Sequence, residues 1–467
     1  MTATFKKFKS DARKVIANPE LQKAIENVTV VKVVRRAEMA ADFPDFEPLR
    51  DHLKEVRSAV ISRLDQHLET FEKNATAAGA QVHWAIDGAE ANRIIIDICK
   101  SHNATRVVKG KSMASEEIHL NHALEDAGIH PVETDLGEWI IQQAGDPPAH
   151  IVAPAAHLNR HKISDLFKKA TGEYIPGDDV EGLTALARRT LRKIFLESEV
   201  GITGGNVAIA ETGSITLVMN EGNGRMCTSL PPVLIMLVGI EKVVPTWNDA
   251  SALLSLLARN ATGQPLSVYT TIVTGKAHDD EDEGPREVHY VLLDNGRSKL
   301  IGTKYEEILQ CIRCGTCLNV CPVYRKIGGH TYGTPISGPI GSVFSPLIFG
   351  LEKYEALPHA SSLCGECTKY CPVRIDFPRM LLELRNDEVQ KRVLPWHETF
   401  VERFAAFVLA HPTIYHFVAN TGRLLQFPVV KNGKFNLPLA ISPSRERKLP
   451  ALPKRSFNKI WKKGDLQ

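Results

Sequence analysis

Apolar residues in the first 75 positions recur three and four apart. Leu49, Leu53, Val56, Val60, Leu64, Leu68 and Phe71 form one stripe, with Lys54, Glu55, Arg57 and Arg63 on the other faces. That period predicts helix, and the segment reads as a packing helix. From about residue 80 the period changes. Short apolar runs at 81–85, 106–108, 130–132 and 151–152 alternate with helical stretches near 89–102, 115–127 and 136–144. Strand and helix in alternation predict a parallel sheet flanked by helices. Helices near 164–171, capped by Ser164, and near 181–197 follow. Strands at 207–210 and 214–219 meet around Thr212-Gly213. Next come a strand at 233–240, a helix near 249–260, and strands at 267–273 and 287–293, with a solvated acidic loop, 279–283, between the last two.

Beyond Asn295-Gly296 the strand signal stops. Residues 303–321 read as a helix running into a cysteine-rich loop, and 322–363 separate it from a second such loop. So long a spacer suits a helical ferredoxin-type module better than a compact β-type ferredoxin. Helices near 378–392 and 396–420 precede a Pro-rich basic tail. The expected organisation is an N-terminal helical segment (1–75), an α/β domain (76–298), a helical cysteine module (299–392) and a helical C-terminal segment (393–467).

Composition adds little to this. Of 467 residues, 43% are hydrophobic and 24% charged, which is ordinary for a soluble chain. A net charge of +3 gives no argument for nucleic-acid binding. Residues 440–467, however, hold eight basic side chains (Arg445, Arg447, Lys448, Lys454, Arg455, Lys459, Lys462, Lys463) against Glu446 and Asp465. A solvated extension and docking to an acidic partner or lipid surface both fit that tail, so peripheral membrane contact stays open. Residues 1–11 carry lysines without an apolar run, so no secretory signal is read. No apolar stretch reaches membrane-spanning length; the nearest, 404–418, is interrupted by His411, Pro412 and His416. Free thiols in such a chain point to a reducing cytoplasm.

The chemistry lies in the cysteines. Cys311-Ile-Arg-Cys314-Gly-Thr-Cys317-Leu-Asn-Val-Cys321-Pro322 is C-x2-C-x2-C-x3-C-P, the bacterial iron–sulfur pattern. Cys364-Gly-Glu-Cys367-Thr-Lys-Tyr-Cys371-Pro372 repeats its last three cysteines and its proline. In two-cluster proteins the fourth cysteine of a run ligates the other cluster. Cys311, Cys314, Cys317 and Cys371 are thus expected on one 4Fe–4S cluster, and Cys321, Cys364 and Cys367 on a second. Three closely spaced thiolates wrap one corner of a cubane, Gly315 and Gly365 let the backbone pass close, and the proline fixes the exit. A zinc site would want two pairs of ligands instead. Aligning the runs puts Ser361 where the missing eighth cysteine would stand. The second cluster's fourth iron must then take an oxygen or nitrogen ligand, water or a partner's residue, or be lost to leave 3Fe–4S after oxidation.

Three polar clusters fall where loops should leave the carboxyl ends of parallel strands, where such sheets bind ligands. They are Lys109-Gly-Lys111-Ser112 through Glu116-Glu117, Glu133-Thr134-Asp135-Leu136-Gly137-Glu138, and Thr203-Gly204-Gly205-Asn206 with Glu211-Thr212-Gly213-Ser214. They suit an anion- or nucleotide-sized pocket or simply caps and turns, and none matches a phosphate-loop or dinucleotide fingerprint. Cys99 reads as a core residue, and Cys227, in a Gly-rich loop, as a core residue or a reactive thiol. His330 and His359 flank the cysteine module as possible tuning groups or ligands.

These three clusters resemble the LUD domain of lactate utilisation proteins. The cysteine runs, with Gly338-Pro339-Ile340-Gly341 and Ser361-Ser-Leu-Cys364, resemble the lactate utilisation protein B family. The resemblance implies a LUD fold of the sugar-phosphate isomerase and CoA-transferase kind, followed by two 4Fe–4S clusters. It also implies an iron–sulfur subunit serving L-lactate oxidation to pyruvate, beside a cysteine-rich, heterodisulfide-reductase-like subunit and a smaller LUD protein. An electron carrier is the leading expectation. A redox enzyme whose own LUD pocket transforms a hydroxy acid or an acyl or phosphate ester is the alternative, and a structural assembly subunit a third.

Overall fold

The computed structural model describes residues 2–463 apart from 282, 394–395, 427, 429 and 436–449. Residues 2–77 hold four helices, α1 (Phe5–Ile16), α2 (Pro19–Ala41), α3 (Phe46–Ser62) and α4 (Leu64–Ala77). The single predicted stripe is broken at Arg63, whose φ of −133° leaves the helical region. Its apolar residues still face inward: Leu53, Val60, Leu68 and Phe71 are buried.

The α/β part runs β1 (Gln81–Ala85), α5 (Gly88–Ser101), β2 (Arg106–Lys109), α6 (Met113–Glu117), α7 (Leu120–Asp126), β3 (His130–Glu133), α8 (Leu136–Ala144), α9 (Arg160–Thr171) and α10 (Val180–Glu197). It continues with β4 (Val200–Gly204), β5 (Val207–Ile209), β6 (Ser214–Met219), α11 (Asn223–Ser229), β7 (Val233–Gly239), β8 (Val243–Val244), α12 (Trp247–Ala261), β9 (Tyr269–Val273) and β10 (Glu287–Leu293). Six strands make one parallel sheet in the order β1-β10-β7-β4-β2-β3, and β8-β5-β6-β9 make a second, mixed sheet. β7 is buried along its whole length, as a central parallel strand should be. Tyr290, Phe71 and Leu234 share one core, and Ile95, Ile202 and Leu237 another on the opposite face of the large sheet.

Several expectations change. The run at 151–152 is a bend, not a strand. Asn159, not Ser164, caps α9 by accepting from Lys162 N; Ser164 lies buried within the helix and donates to the Ile175 carbonyl. The helix expected at 115–127 is split at His119, which has a left-handed φ of 54°. The strands β4 and β8 were not foreseen.

The cysteine module is helical, with α13 (Thr316–Val320), α14 (Tyr324–Ile327), α15 (Gly338–Phe349), α16 (Glu366–Tyr370) and α17 (Phe377–Gln390). The helix predicted over 303–321 is instead a 3₁₀ turn at Glu306–Gln310, an irregular loop through the first thiols, and then α13. This module, the α/β part and the N-terminal helices make one compact unit ending at Glu388. A second unit, 389–467, contains α18 (Trp396–Ala410) and α19 (Pro412–Leu425), which pack together, a short hairpin of β11 (Val430–Lys431) and β12 (Lys434–Phe435), and α20 (Phe457–Lys463). Pro412 stands at the start of α19 and divides what reads as one helix. Of the basic tail, Arg445, Arg447 and Lys448 lie outside the described residues, as do Glu446 and Asp465. No helix among the described residues is long and apolar enough to cross a membrane.

Candidate iron–sulfur site and the adjoining cavity

The two cysteine loops are the same backbone built twice. In the first, Arg313 (φ 60°) and Gly315 (φ 75°) flank Cys314; in the second, Leu363 (φ 54°) and Gly365 (φ 81°) flank Cys364. Each glycine is followed by a five-residue helix that carries one cysteine and stops at the following one, Cys321 or Cys371. Left-handed backbone on either side of one cysteine is costly for Arg and Leu, and glycine removes that cost at the second position. The effect is to turn successive thiols to one side, which a continuous helix through 303–321 would not do. The helices α13 and α16 pack against each other, so the two loops face one another.

That packing groups the thiols across the runs. Cys371 is buried, which pushes its thiol up, and the neighbouring Cys314 and Cys311 push it further. Cys367 is raised to about 12 by burial first and then by Cys321 and Cys364. Burial raises Cys317 too, with Cys311, Cys314 and Cys367 adding to it. Cys371 thus joins the company of the first run, and Cys321 that of the second. The two sets differ in depth: Cys364 is exposed and Cys311 half-buried, whereas the other five are buried.

Backbone donors converge on the sulfurs. Arg313 N–H donates to Cys311 Sγ at 3.4 Å and Tyr324 N–H to Cys321 Sγ at 3.5 Å. Backbone N–H groups of Ile375 and Val373 serve Cys371, and that of Ile340 serves Cys317. Such donors favour thiolate and tune a cluster's potential.

The carbonyl side of both loops is held by arginines from the N-terminal helices, which the periodicity assigned to mere packing. Arg50 donates to the carbonyls of Cys371 (2.7 Å) and Lys369 (2.6 Å). Arg36 reaches Tyr370 O at 3.3 Å and Asn260 Oδ1 at 2.8 Å. Arg57, fully buried, donates to Val243 O and Leu309 O at 2.9 Å each, to Glu241 O, and to Gln310 O at 3.4 Å. It ties the α/β part to the residue just before Cys311. Arg57, expected on the outer faces of the stripe, instead shares a buried face with Arg50, Leu53 and Val60 at helical spacing, and a charge at that spacing is the only sequence signal for it.

Buried thiols, left-handed loops and aimed N–H groups fit a multi-iron group. They fit a single ion poorly. Sulfur ligands 2.3 Å from zinc stand about 3.8 Å apart, and among the described residues no three His, Cys, Asp or Glu side chains are set to hold one ion. Ser361 occupies the position of Cys311 in the duplicate: its Oγ accepts from Leu363 N–H at 3.1 Å, as Cys311 Sγ accepts from Arg313 N–H. His330 contacts the Pro147 carbonyl and His359 pairs with Glu388, each at 2.8 Å. Cys227 is buried and pushed up to about 12 by desolvation, which makes it a core thiol, not a reactive one. Cys99 is likewise buried and raised to about 12.

Beside the first loop lies a cavity of about 650 Å³, outside the carboxyl ends of β2, β4 and β7. Lys111, Ser112, Asp135 and the Thr203–Asn206 turn line it, so parts of all three polar clusters meet there, while Glu211 and Ser214 are not among its lining. Other members are spent on structure. Lys109 is buried against Glu133 (2.7 Å) and Ser115 (2.8 Å). At the floor, Arg297 makes two bonds to Glu117 (2.9 and 2.8 Å) and one to Glu241 (2.6 Å). Burial pushes the Glu241 carboxyl up, but Arg297, Lys242 and Arg313 outweigh it and hold the group near 2.

Comparison with known proteins agrees with both parts. Residues 68–293 match the LUD domain and 307–375 the 4Fe-4S dicluster domain. Over 472 aligned residues the chain is 41% identical to "Lactate utilization protein B" of Bacillus velezensis, covering all of this chain and 98% of that one. It is 40% identical to the "Uncharacterized electron transport protein YkgF" of Escherichia coli, over 98% and 97% of the two chains. A crystal structure of a DUF162 family protein from Deinococcus radiodurans covers 49% of this chain with a TM-score of 0.28 and 16% identity, too distant to carry an argument. With a LUD domain, a dicluster domain and a full-length relative at 41% identity, the chain belongs to the lactate utilization protein B family.

Proposed function

We propose that this chain is the iron–sulfur electron-transfer subunit of L-lactate oxidation to pyruvate. The observation that carries the reading is the duplicated cysteine loop, with left-handed backbone on either side of one cysteine in each run. Cys311, Cys314, Cys317 and Cys371 would hold one 4Fe–4S cluster; Cys321, Cys364 and Cys367 would hold the second. When bound, such clusters supply one-electron storage and transfer. The protein's part is to bury five of the seven thiols, donate N–H groups to the sulfurs and leave Cys364 at the surface. An exposed Cys364 suits exchange with another protein. The partners we propose are a cysteine-rich, heterodisulfide-reductase-like subunit and a smaller LUD protein, in the cytoplasm. The family name and the "electron transport" name of one relative support the reading.

The second cluster would have three cysteines, with Ser361 facing its fourth iron. Deleting the gene should stop growth on L-lactate and spare growth on glucose. Growth on both would overturn the proposal.

The alternative, a redox enzyme using its own LUD pocket, draws support from the cavity beside the first loop. Lactate-dependent dye reduction by the purified chain alone would favour it.

A further inference from the structure

The cavity is lined by polar groups that the fold itself leaves unused. Lys32, on α2, lines it, and its ammonium is buried without a hydrogen-bond partner. Arg313, from the first cysteine loop, lines it too; its guanidinium lies 4.1 Å over the Phe344 ring, yet Nη1 is buried and unpartnered. Its one ion pair among the described residues is a long one, 3.9 Å to Glu241. Asn223 completes the set: its Nδ2 reaches Thr134 Oγ1 at 3.4 Å, but its Oδ1 is buried with nothing to accept from. Two of these atoms are cationic donors and one is an amide acceptor.

A buried ammonium without a partner is destabilising unless something compensates it. Of the other cations of the wall, Lys111 pairs with Glu138 at 3.3 Å and Arg297 with Glu117 and Glu241, while Lys242 donates to the Cys311 carbonyl at 3.3 Å. The site also has the usual address of a ligand in a parallel sheet. From β2 the chain proceeds to β3 on one side, while β4 lies on the other and leads to β7. The loops after β2 and β4 diverge there and open a crevice. At about 650 Å³ the space exceeds a three-carbon acid and falls in the range of cofactor-sized ligands.

We infer that this cavity binds an organic oxyanion, carboxylate or phosphate, that also carries a hydroxyl or N–H. Lys32 and Arg313 receive the anionic group and Asn223 Oδ1 accepts from the donor. Because Arg313 stands between Cys311 and Cys314, an anion drawn to it adds negative charge beside the first set of thiolates. A cluster held there is then harder to reduce. The binding claim stands on the cavity alone; this last coupling rests on the electron-transfer reading.

The test is calorimetric titration of the anaerobically purified full chain with L-lactate, pyruvate, inorganic phosphate and flavin mononucleotide in turn. Iron and sulfide are measured on the same sample. We expect one-to-one binding of at least one organic probe, weakened by raising salt. We expect Lys32→Met to weaken it about tenfold or more, as loss of a charged hydrogen bond requires, with Lys32→Arg restoring part and the exposed Lys9→Met changing nothing. Lys32→Met should keep or raise Tm, since it removes an uncompensated charge, so loss of binding cannot be laid to unfolding. Binding by L-lactate or pyruvate assigns a carboxylate; binding by the flavin nucleotide alone assigns a phosphate ester. No binding of any organic probe, or equal binding in Lys32→Met, overturns the inference. A chain that binds a probe but lacks iron would sink the electron-transfer reading and leave the cavity assignment standing. Two clusters without binding would do the reverse.

Discussion

Ser361 and Lys32 are single residues whose chemistry differs from what their positions would ordinarily hold. Ser361 takes the backbone geometry of Cys311 and even its hydrogen bond, with oxygen for sulfur. Hydroxyl oxygen is a harder ligand than thiolate, so the iron it faces should be the first lost. In air the parent should develop the EPR signal of an oxidised three-iron centre, and Ser361→Cys should suppress it. Equal decay in both would make Ser361 a bystander. This substitution was legible in the sequence because the two runs align without a gap. Lys32 was not legible, since a lysine on a helix reads as solvated until the fold covers it. Burial lowers its pKa to about 7, with Lys111 adding to the effect, and His150 is the other titratable group it influences. The folded pKa lies below the unfolded one, so the penalty is full below pH 7 and relieved as pH rises toward 10.5. The stability gained by Lys32→Met should therefore shrink over that window. Anion affinity should fall as pH climbs through 7. A gain in stability that grows with pH would contradict this.

At the scale of elements, α3 does more than its apolar stripe announces. Arg50 and Arg57 reach through the core side to the carbonyls of both cysteine loops. Removing a fully buried guanidinium leaves four carbonyls without donors, so Arg57→Ala should cost roughly 3–5 kcal/mol. The check is thermal unfolding of the anaerobic protein, together with its iron content; an unchanged Tm would contradict the bracing role. Five of the six strands of the large sheet, the buried β7 included, were readable from short apolar runs. The central strand β4 was not, because Val200-Gly-Ile-Thr-Gly offers only two large apolar residues. Its glycine is needed for a tertiary reason: a Cβ on Gly201 would stand 2.2 Å from the Cys227 carbonyl, where α11 packs against the strand. The cysteine loop misread as helix shows the same limit. Helical propensity through 303–321 is overridden by the left-handed residues that aim the thiols.

For the whole molecule, the sequence carried the α/β part and the helical module, because each is written in spacing. Their union with the N-terminal helices was hidden. The N-terminal helices, the sheet and the cysteine loops belong to one unit, and the cavity draws its wall from all of them. The isolated chain should not oxidise lactate, because two-electron removal from a hydroxy acid needs a hydride acceptor that iron–sulfur clusters do not supply. Sustained dye reduction by the chain alone would contradict that. The central claim, two clusters held across the runs, is tested most directly by iron, sulfide and EPR of the anaerobic chain and its Cys371→Ala variant. The account predicts about two clusters in the parent and, in the variant, loss of the one bound by Cys311, Cys314 and Cys317 with the other retained. Zinc in place of iron and sulfide, or damage confined to the cluster of Cys364 and Cys367, would contradict it.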